Sequence, residues 1–437
     1  DGFIAKLDSN GNYLWAKRVG PPTGLGNGEN DIVHATTALG DGSAIVSGQF
    51  TRTVSFGGTT LNSAGNYEGF IAKIDKNGNY LWAKKFGGQG RDVSHGVSAF
   101  NDGSSITTGY FTKTASFGDI NLTSFNPNVG ETGFVAKLDN NGNYLWAKRF
   151  GGLGPDDRGR SVSTFSDGSS ILVGRFGGTA NFGDITLTVD NINKGGKEGF
   201  IAKLDSNGNF LWANQLNLDV WRGVNDVSTH SDGSSVILGE FDGTTNFGGT
   251  TLTSPGGYYD GFIAKLDRDG NYLWVKQVEG DDKNVALSKI SSFSDGSSVI
   301  TGSFDSTTAS FGATDLTKIS NSNTILTATL DSNGNWLRSI PPQLSSATTT
   351  TDGTKVILTY NKALSANKAA ASTFNVRSGG VTNAITGVAV NGATVELTLT
   401  NPIQRGQAVH ASYVDPTAGN DANAVQDASG TDSATLK

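Results

Sequence analysis

Few residues in this 437-residue sequence are of the types that do chemistry: there are four histidines, no cysteine and no methionine. Two of the histidines fall at equivalent places in a repeating pattern. Counting five residues back from Leu39, Phe100, Phe165, His230 and Phe293 gives His34, His95, Arg160, Asn225 and Ser288. Three residues ahead of these stand Asp31, Asp92, Asp157, Arg222 and Val285. Gly-rich loops precede them, such as Gly87-Gly88 and Gly151-Gly152, and would set the column near one rim of a ring. An Asp/His/Arg cluster at a channel mouth suits a sugar or an ion. The candidate ligand-binding residues are therefore Asp31, His34, Asp92, His95, Asp157 and Arg160. The plainer alternative has each aspartate capping its own loop and each histidine standing on a wet rim.

Metal and enzyme chemistry have less to draw on. The D-x-(N/D)-G-N turns, most of all Asp267–Gly270, resemble calcium loops but offer one or two carboxylates each. Calcium takes six to eight oxygens, and hairpin turn chemistry accounts for the same residues. A denser acidic stretch carries Asp415, Asp421, Asp427 and Asp432, of which the first three are the candidate calcium ligands. Calcium is the one cofactor suggested. No H-E-x-x-H, G-x-S-x-G or Walker loop occurs, so the chain reads as non-enzymatic.

The elements that would position these residues come from an internal repeat. DGFIAKLDSNGNYLWAKR at Asp1 returns from Glu68, Thr132, Glu198 and Asp260, with a decayed sixth copy from Asn323. The turn aspartates Asp8, Asp75, Asp139, Asp205, Asp267 and Asp331 are spaced by 67, 64, 66, 62 and 64 residues. Six of the seven tryptophans read as one column: Trp15, Trp82, Trp146, Trp212, Trp274 and Trp336. The seventh, Trp221, falls in a loop. A second hairpin with a D-G-S turn begins at Gly40, Asn101, Ser166, Ser231 and Ser294, and each runs into a Gly-x-Phe. In Phe3–Leu7 the side chains of Phe3, Ala5 and Leu7 share one face, and Ile4 and Lys6 the other. Asn and Gly in the turns supply positive φ. Lysines such as Lys6, Lys17, Lys73 and Lys84 would bury their stems along blade faces and expose their ammonium groups.

Two hairpins make four strands per repeat, the content of a propeller blade. The expected fold is all-β: a β-propeller of four-stranded blades over residues 1–340, then an Ig-like β-sandwich over 341–437. A parallel β-helix has rungs much shorter than this repeat. Six copies of the first hairpin and five of the second make five and a half repeats. A complete ring would have six or seven blades. The missing half is expected upstream in a longer protein, with completion by another molecule as the rival.

The pattern D-G-F-(I/V)-A-K-(L/I)-D, G-N-x-L-W-x-K, D-G-S and G-x-F resembles the SBBP family of bacterial β-propeller repeats, over about residues 1–340. L-D-x-N-G-N-x-L-W is also similar to the tryptophan-docking motif of quinoprotein propellers, taken as shared blade mechanics. Thr327 and Thr329 depart from the pattern, as a terminal blade should. Past Pro341-Pro342 the repeat vanishes, and strand-length runs such as KVILTY at Lys355 alternate with turns. ILTYNKALSA, ITGVAVNGATVELTL and YVDPTAGNDANAVQDASGTD resemble the SWM repeat of very large bacterial surface proteins.

Composition bounds the rest. Sixty glycines and 17% charged residues suit short strands joined by tight turns. A net charge of −7 argues against a nucleic-acid partner, and no apolar run is long enough to span a membrane as a helix. The two resemblances imply a structural or adhesive module of a large secreted protein at the bacterial cell surface. Its expected partners are other copies of itself or other surface proteins, with glycans as the alternative: a propeller that binds or cleaves them.

Overall fold

A computed structural model describes all residues except 9–10, 22–29, 129, 190–195, 219–222, 255–256, 313, 319–322, 338–341, 367–368, 416–423, 428–431, 434 and 436–437. The described residues hold antiparallel strands and no α-helix. The chain divides into two compact units, Asp1–Trp336 and Leu337–Lys437.

In the first unit the blades do not coincide with the sequence repeats. Each D-G-S hairpin forms the two inner strands of a blade, and the D-G-F hairpin of the following repeat forms its two outer strands. The second blade shows the plan: Val93–Ala99, Ser105–Phe111, Thr132–Leu138 and Tyr144–Phe150 pair in that order. The other inner strands are Ile32–Ala38, Arg158–Thr164, Val224–Thr229 and Val285–Ser292, so there are five blades. In the fourth, the outer strand also pairs through Glu279 and Gly280 with Ser310 and Ala309. The first D-G-F hairpin, Gly2–Leu7 with Tyr13–Val19, stands alone as a half blade. The innermost strands of all five blades and Phe3 line an axial cavity of about 580 Å³, which makes the unit a propeller.

Blades stack through an apolar sandwich. Ile45 and Ile71 of blade one pack with Phe111, Phe134, Ala136 and Leu138 of blade two, and all six are fully buried. Burying such side chains is the main stabilising term, about 1.5–3 kcal/mol for each. Polar clasps then set the spacing. The indole N–H of Trp15, Trp82 and Trp146 donates to the backbone carbonyl of Lys76, Asn140 and Ser206, in the turn of the next blade, at 3.0, 3.0 and 3.3 Å. The lysines of the A-K-L motif do the same: Lys203 reaches the Arg268 carbonyl at 2.9 Å and Lys265 that of Ser332 at 3.3 Å. Lys73 and Lys265 are buried, which corrects the expectation of exposed ammonium groups. Their charge is satisfied by turn oxygens instead of water.

A second correction concerns Trp336. It stands five residues after its turn aspartate, where the other copies have Tyr or Phe, while the tryptophan position is Arg338. Its ring meets Phe311 edge-on at 4.8 Å, as Tyr144 meets Phe117. The sixth copy also carries Ile325, Thr327 and Thr329 where the fourth blade has Gly261, Ile263 and Lys265. Those three positions face the next blade. A Cβ on Gly261 would lie 2.6 Å from Leu287 of blade five, whereas Ile325 is 83% exposed. Blade five is thus the terminal blade of the stack.

A third, short hairpin in each repeat was not anticipated. Thr114–Phe117 pairs with Ile120–Thr123, and its Phe117 is buried against Phe86 in a stack at 5.0 Å. The Phe-Gly pairs mark its turn, with Gly118 at φ 62°.

In the second unit, a sheet of Leu344–Thr349, Lys355–Tyr360, Thr394–Leu399 and Ile385–Asn391 and a sheet of Val381–Asn383, Phe374–Ser378 and Val409–Tyr413 share one core. Val356, Leu358, Phe374, Val376, Leu397 and Tyr413 form its centre, giving a two-sheet sandwich.

Candidate functional site

The polar column converges. His34, His95, Arg160, Asn225 and Ser288, one from each inner strand, line one axial cavity of about 260 Å³ together with Glu240 and Lys289. The local cause is a β-bulge repeated five times. Ladder pairing passes from Ser94 to Gly96 opposite Gly109 and Thr108, which leaves His95 as the extra residue. The same skip isolates His34, Arg160, Asn225 and Ser288. A bulged residue leaves the ladder and its side chain is re-aimed, here towards the axis.

The glycine of Gly-x-Phe is what permits the bulge. A Cβ on Gly109 would sit 1.9 Å from the Val93 carbonyl oxygen, and one on Gly48 1.9 Å from that of Ile32. In blades one, two and four the residue after the glycine then seats the blade's polar side chain. His34 Nε2 and Gln49 Oε1 are 3.4 Å apart, the His95 and Tyr110 rings 5.5 Å, and Asn225 Nδ2 donates to Glu240 Oε1 at 3.4 Å. The x position of Gly-x-Phe belongs to the candidate site, and sequence reasoning missed it. Its signal was a polar or aromatic residue recurring inside an otherwise apolar strand.

Two members of the column also reach the next blade. His95 Nδ1 lies 3.0 Å from the Gly159 carbonyl, and Asn225 Nδ2 donates to that of Leu287 at 2.9 Å. The His34 and His95 rings meet edge-on at 5.4 Å. Burial, then the Arg160 charge, pushes His95 down to about 3; His34 is lowered by burial and by Lys289 and Arg160. Both rings are therefore neutral at pH 7, and the lining carries two cations and one carboxylate. Such a surface hydrogen-bonds hydroxyl and carboxylate groups.

His95 makes stability pH-dependent. Its pKa in the folded chain lies below the unfolded value near 6.5, so the neutral form supports folding fully above that pH. That support is lost as pH falls through 6.5 towards 3, with a slope approaching about 1.4 kcal/mol per pH unit. His95→Gln is expected to remove this slope when urea unfolding is compared at pH 6.5 and 4.5. An unchanged difference between the two pH values would count against the neutral ring.

The aspartates Asp31, Asp92 and Asp157 do not join the cavity lining; Asp92 and Asp157 clasp their own loops, and all three hold the residue that follows their blade's second strand or closes it. Asp92 accepts from the backbone N–H of Gly88 at 2.8 Å and Thr112 at 3.4 Å. Asp157 accepts from Gly152 at 2.8 Å and Gly177 at 3.0 Å, and Asp31 from Thr51 at 3.1 Å. Burial pushes Asp92 up to about 7 and Asp157 to about 8 despite these donors. Asp157→Ala is expected to cost about 1–3 kcal/mol by leaving buried N–H groups unpaired, read as a lower urea midpoint. Arg222 and Trp221 lie outside the described residues.

The turn aspartates use their oxygens internally. Asp267 Oδ1 accepts from the N–H of Asp269 and Asn271, each at 2.9 Å, and Oδ2 from Asn271 Nδ2 at 2.9 Å. In the second unit Asp427 pairs with Lys362 at 3.0 Å, and Asp432 accepts from Gln426 at 2.9 Å. Asp421 lies outside the described residues, and among those described no three acidic or histidine side chains are grouped to hold a metal, Asp415 included. No helix among them is long and apolar enough to cross a membrane.

Residues 338–418 match the SWM repeat family, described as "Putative flagellar system-associated repeat". The chain is 27% identical over 232 residues to "Uncharacterized WD repeat-containing protein L264" of Acanthamoeba polyphaga mimivirus, which covers 46% of this chain and 16% of that protein. The chain thus spans about a sixth of that relative's length. Among solved structures it is similar to the hydrazine synthase of Kuenenia stuttgartiensis, with TM-score 0.38 and 8% identity over 75% of this chain and 73% of that one. A protein of unknown function from Dyadobacter fermentans DSM 18053 gives 0.36 and 11% over 85% and 95%, and a streptogramin B lyase 0.32 and 10% over 85% and 97%.

Proposed function

We propose that this chain is a non-enzymatic structural and adhesive module of a large secreted bacterial surface protein, with SBBP-type blades leading into an Ig-like SWM repeat. One observation carries the reading: outside the axial column, the recurring polar side chains are spent on holding blades and loops in place. The tryptophan indoles and the A-K-L lysines clasp the next turn, and the loop aspartates clasp their own loops. A scaffold that bears load needs such redundancy, whereas an enzyme needs some of those groups free for substrate. The SWM match over 338–418 supports the same setting. Its partners are then further copies of itself or other surface proteins. Beads coated with the chain should cluster with one another or hold to bacterial envelopes in a saturable way. Beads that stay dispersed in both assays would sink the proposal.

The axial bulges favour a second reading, in which the propeller holds a glycan at the cavity lined by His34, His95, Arg160 and Asn225. Five re-aimed side chains exceed what blade packing requires. A glycan array probed with wild type and with Lys289→Ala should show a bound sugar lost or weakened at least about 10-fold in the variant, as removal of one charged hydrogen bond would give. An array with no signal, or one indifferent to Lys289, removes this reading and leaves the first intact.

A further inference from the structure

The two ends of the blade stack are finished differently. At the blade-five end, the face that would meet another blade is mixed: Thr301 and Thr327 are exposed beside Ile325, and among the described residues no tryptophan projects from it. At the half-blade end the face is apolar and uncovered. Phe3 is 78% exposed and Leu7 47%, while Phe70, Phe134, Phe200 and Phe262 and also Ile74, Leu138, Leu204 and Leu266 are all at 0%. Strand Gly2–Leu7 pairs along one edge only, with Tyr13–Val19, whereas Thr132–Leu138 pairs on both. The turn is uncovered too. A Cβ on Gly142 would lie 2.8 Å from the Trp82 ring, and one on Gly11 meets nothing within 4 Å.

We propose that the free edge of Gly2–Leu7 is an acceptor for a β segment of the D-G-S type, two inner strands and a Phe-Gly hairpin, which completes the half blade. The interface that defines the occupant is already made five times in this chain. In the second blade Gly109 pairs with Phe134, Thr107 with Ala136 and Ser105 with Leu138; the same register sets a Gly-x-Phe strand against Phe3, Ala5 and Leu7. The Phe-Gly hairpin would cover Tyr13, as Phe117 covers Tyr144 at 5.6 Å. Strand addition satisfies the row of edge N–H and C=O groups while burying alternate side chains. The occupant is a D-G-S segment that has no outer hairpin of its own. A second copy does not supply one, because each of its five D-G-S hairpins is already paired to an outer hairpin.

The test is a fusion of a second copy of residues 92–131 directly ahead of Asp1, which reproduces the junction at Thr132. The fused protein is expected to stay monomeric and to melt about 5 °C or more above the parent. Phe3→Asp should erase that gain in the fusion and leave the parent's melting temperature within about 1 °C, as an exposed position allows. A fusion that melts with the parent, or a gain that survives Phe3→Asp, overturns the proposal. So does a parent chain that is dimeric and becomes monomeric on Phe3→Asp, since a second copy would then be the occupant.

Discussion

Phe134→Ala is expected to destabilise the propeller by about 3–5 kcal/mol, the cost of truncating a buried phenylalanine and leaving a cavity. Phe3→Ala, the same change at the equivalent residue of the half blade, should cost under about 0.5 kcal/mol. The two residues share sequence context, strand position and facing, so nothing intrinsic separates them. What differs is the neighbour: Phe134 packs against Phe86 and Phe117 with ring centroids 4.8 and 4.9 Å away, and Phe3 is 78% exposed. Urea unfolding followed by tryptophan fluorescence gives both values. Equal losses at the two sites would mean that the half blade is covered in solution, and the blade assignment would need revision.

The second large effect concerns the tryptophan clasp. Gly142 and Gly11 both have φ near 80°, a region that costs an alanine about 1–2 kcal/mol. Gly142→Ala adds an overlap with the Trp82 indole, where overpacking costs a further 1–3 kcal/mol or so. The expected totals are about 2–5 kcal/mol at Gly142 and about 1–2 kcal/mol at Gly11. The difference between them isolates the contact between one blade's tryptophan and the next blade's turn. A matched loss at both positions would show that the clasp contributes nothing.

Much of this fold was legible because the repeat prints each structural position several times. The D-G-S and D-x-N-G-N turns gave both hairpins, and counting back from the D-G-S turns located His34, His95, Arg160, Asn225 and Ser288 as one set. Four things were not legible. Residue type groups Trp336 with the other tryptophans, but aligned on Asp331 it falls two positions early, in the tyrosine column. Spacing alone puts the aspartates beside the histidines on the rim, whereas each stands just before its inner strand begins, at Ile32, Val93 and Arg158. Asp92 therefore turns into its own Gly87-Gly88 loop while the bulge sends His95 to the axis. The bulge itself depends on Gly109 approaching the Val93 carbonyl across the ladder, a pairing that spacing along the chain does not express. The short Phe-Gly hairpins are hidden because four residues per strand is too brief for alternation to stand out.

Amide hydrogen exchange on the unmodified chain tests the central claim, that every blade joins one repeat's D-G-S hairpin to the next repeat's D-G-F hairpin and leaves the first D-G-F hairpin by itself. Peptides covering Gly2–Leu7 and Thr132–Leu138 have nearly the same sequence. Thr132–Leu138 should exchange only with global unfolding, and Gly2–Leu7, paired on one edge, at least about 100-fold faster through local opening. Equal protection of the two strands in a monomeric sample would contradict the claim.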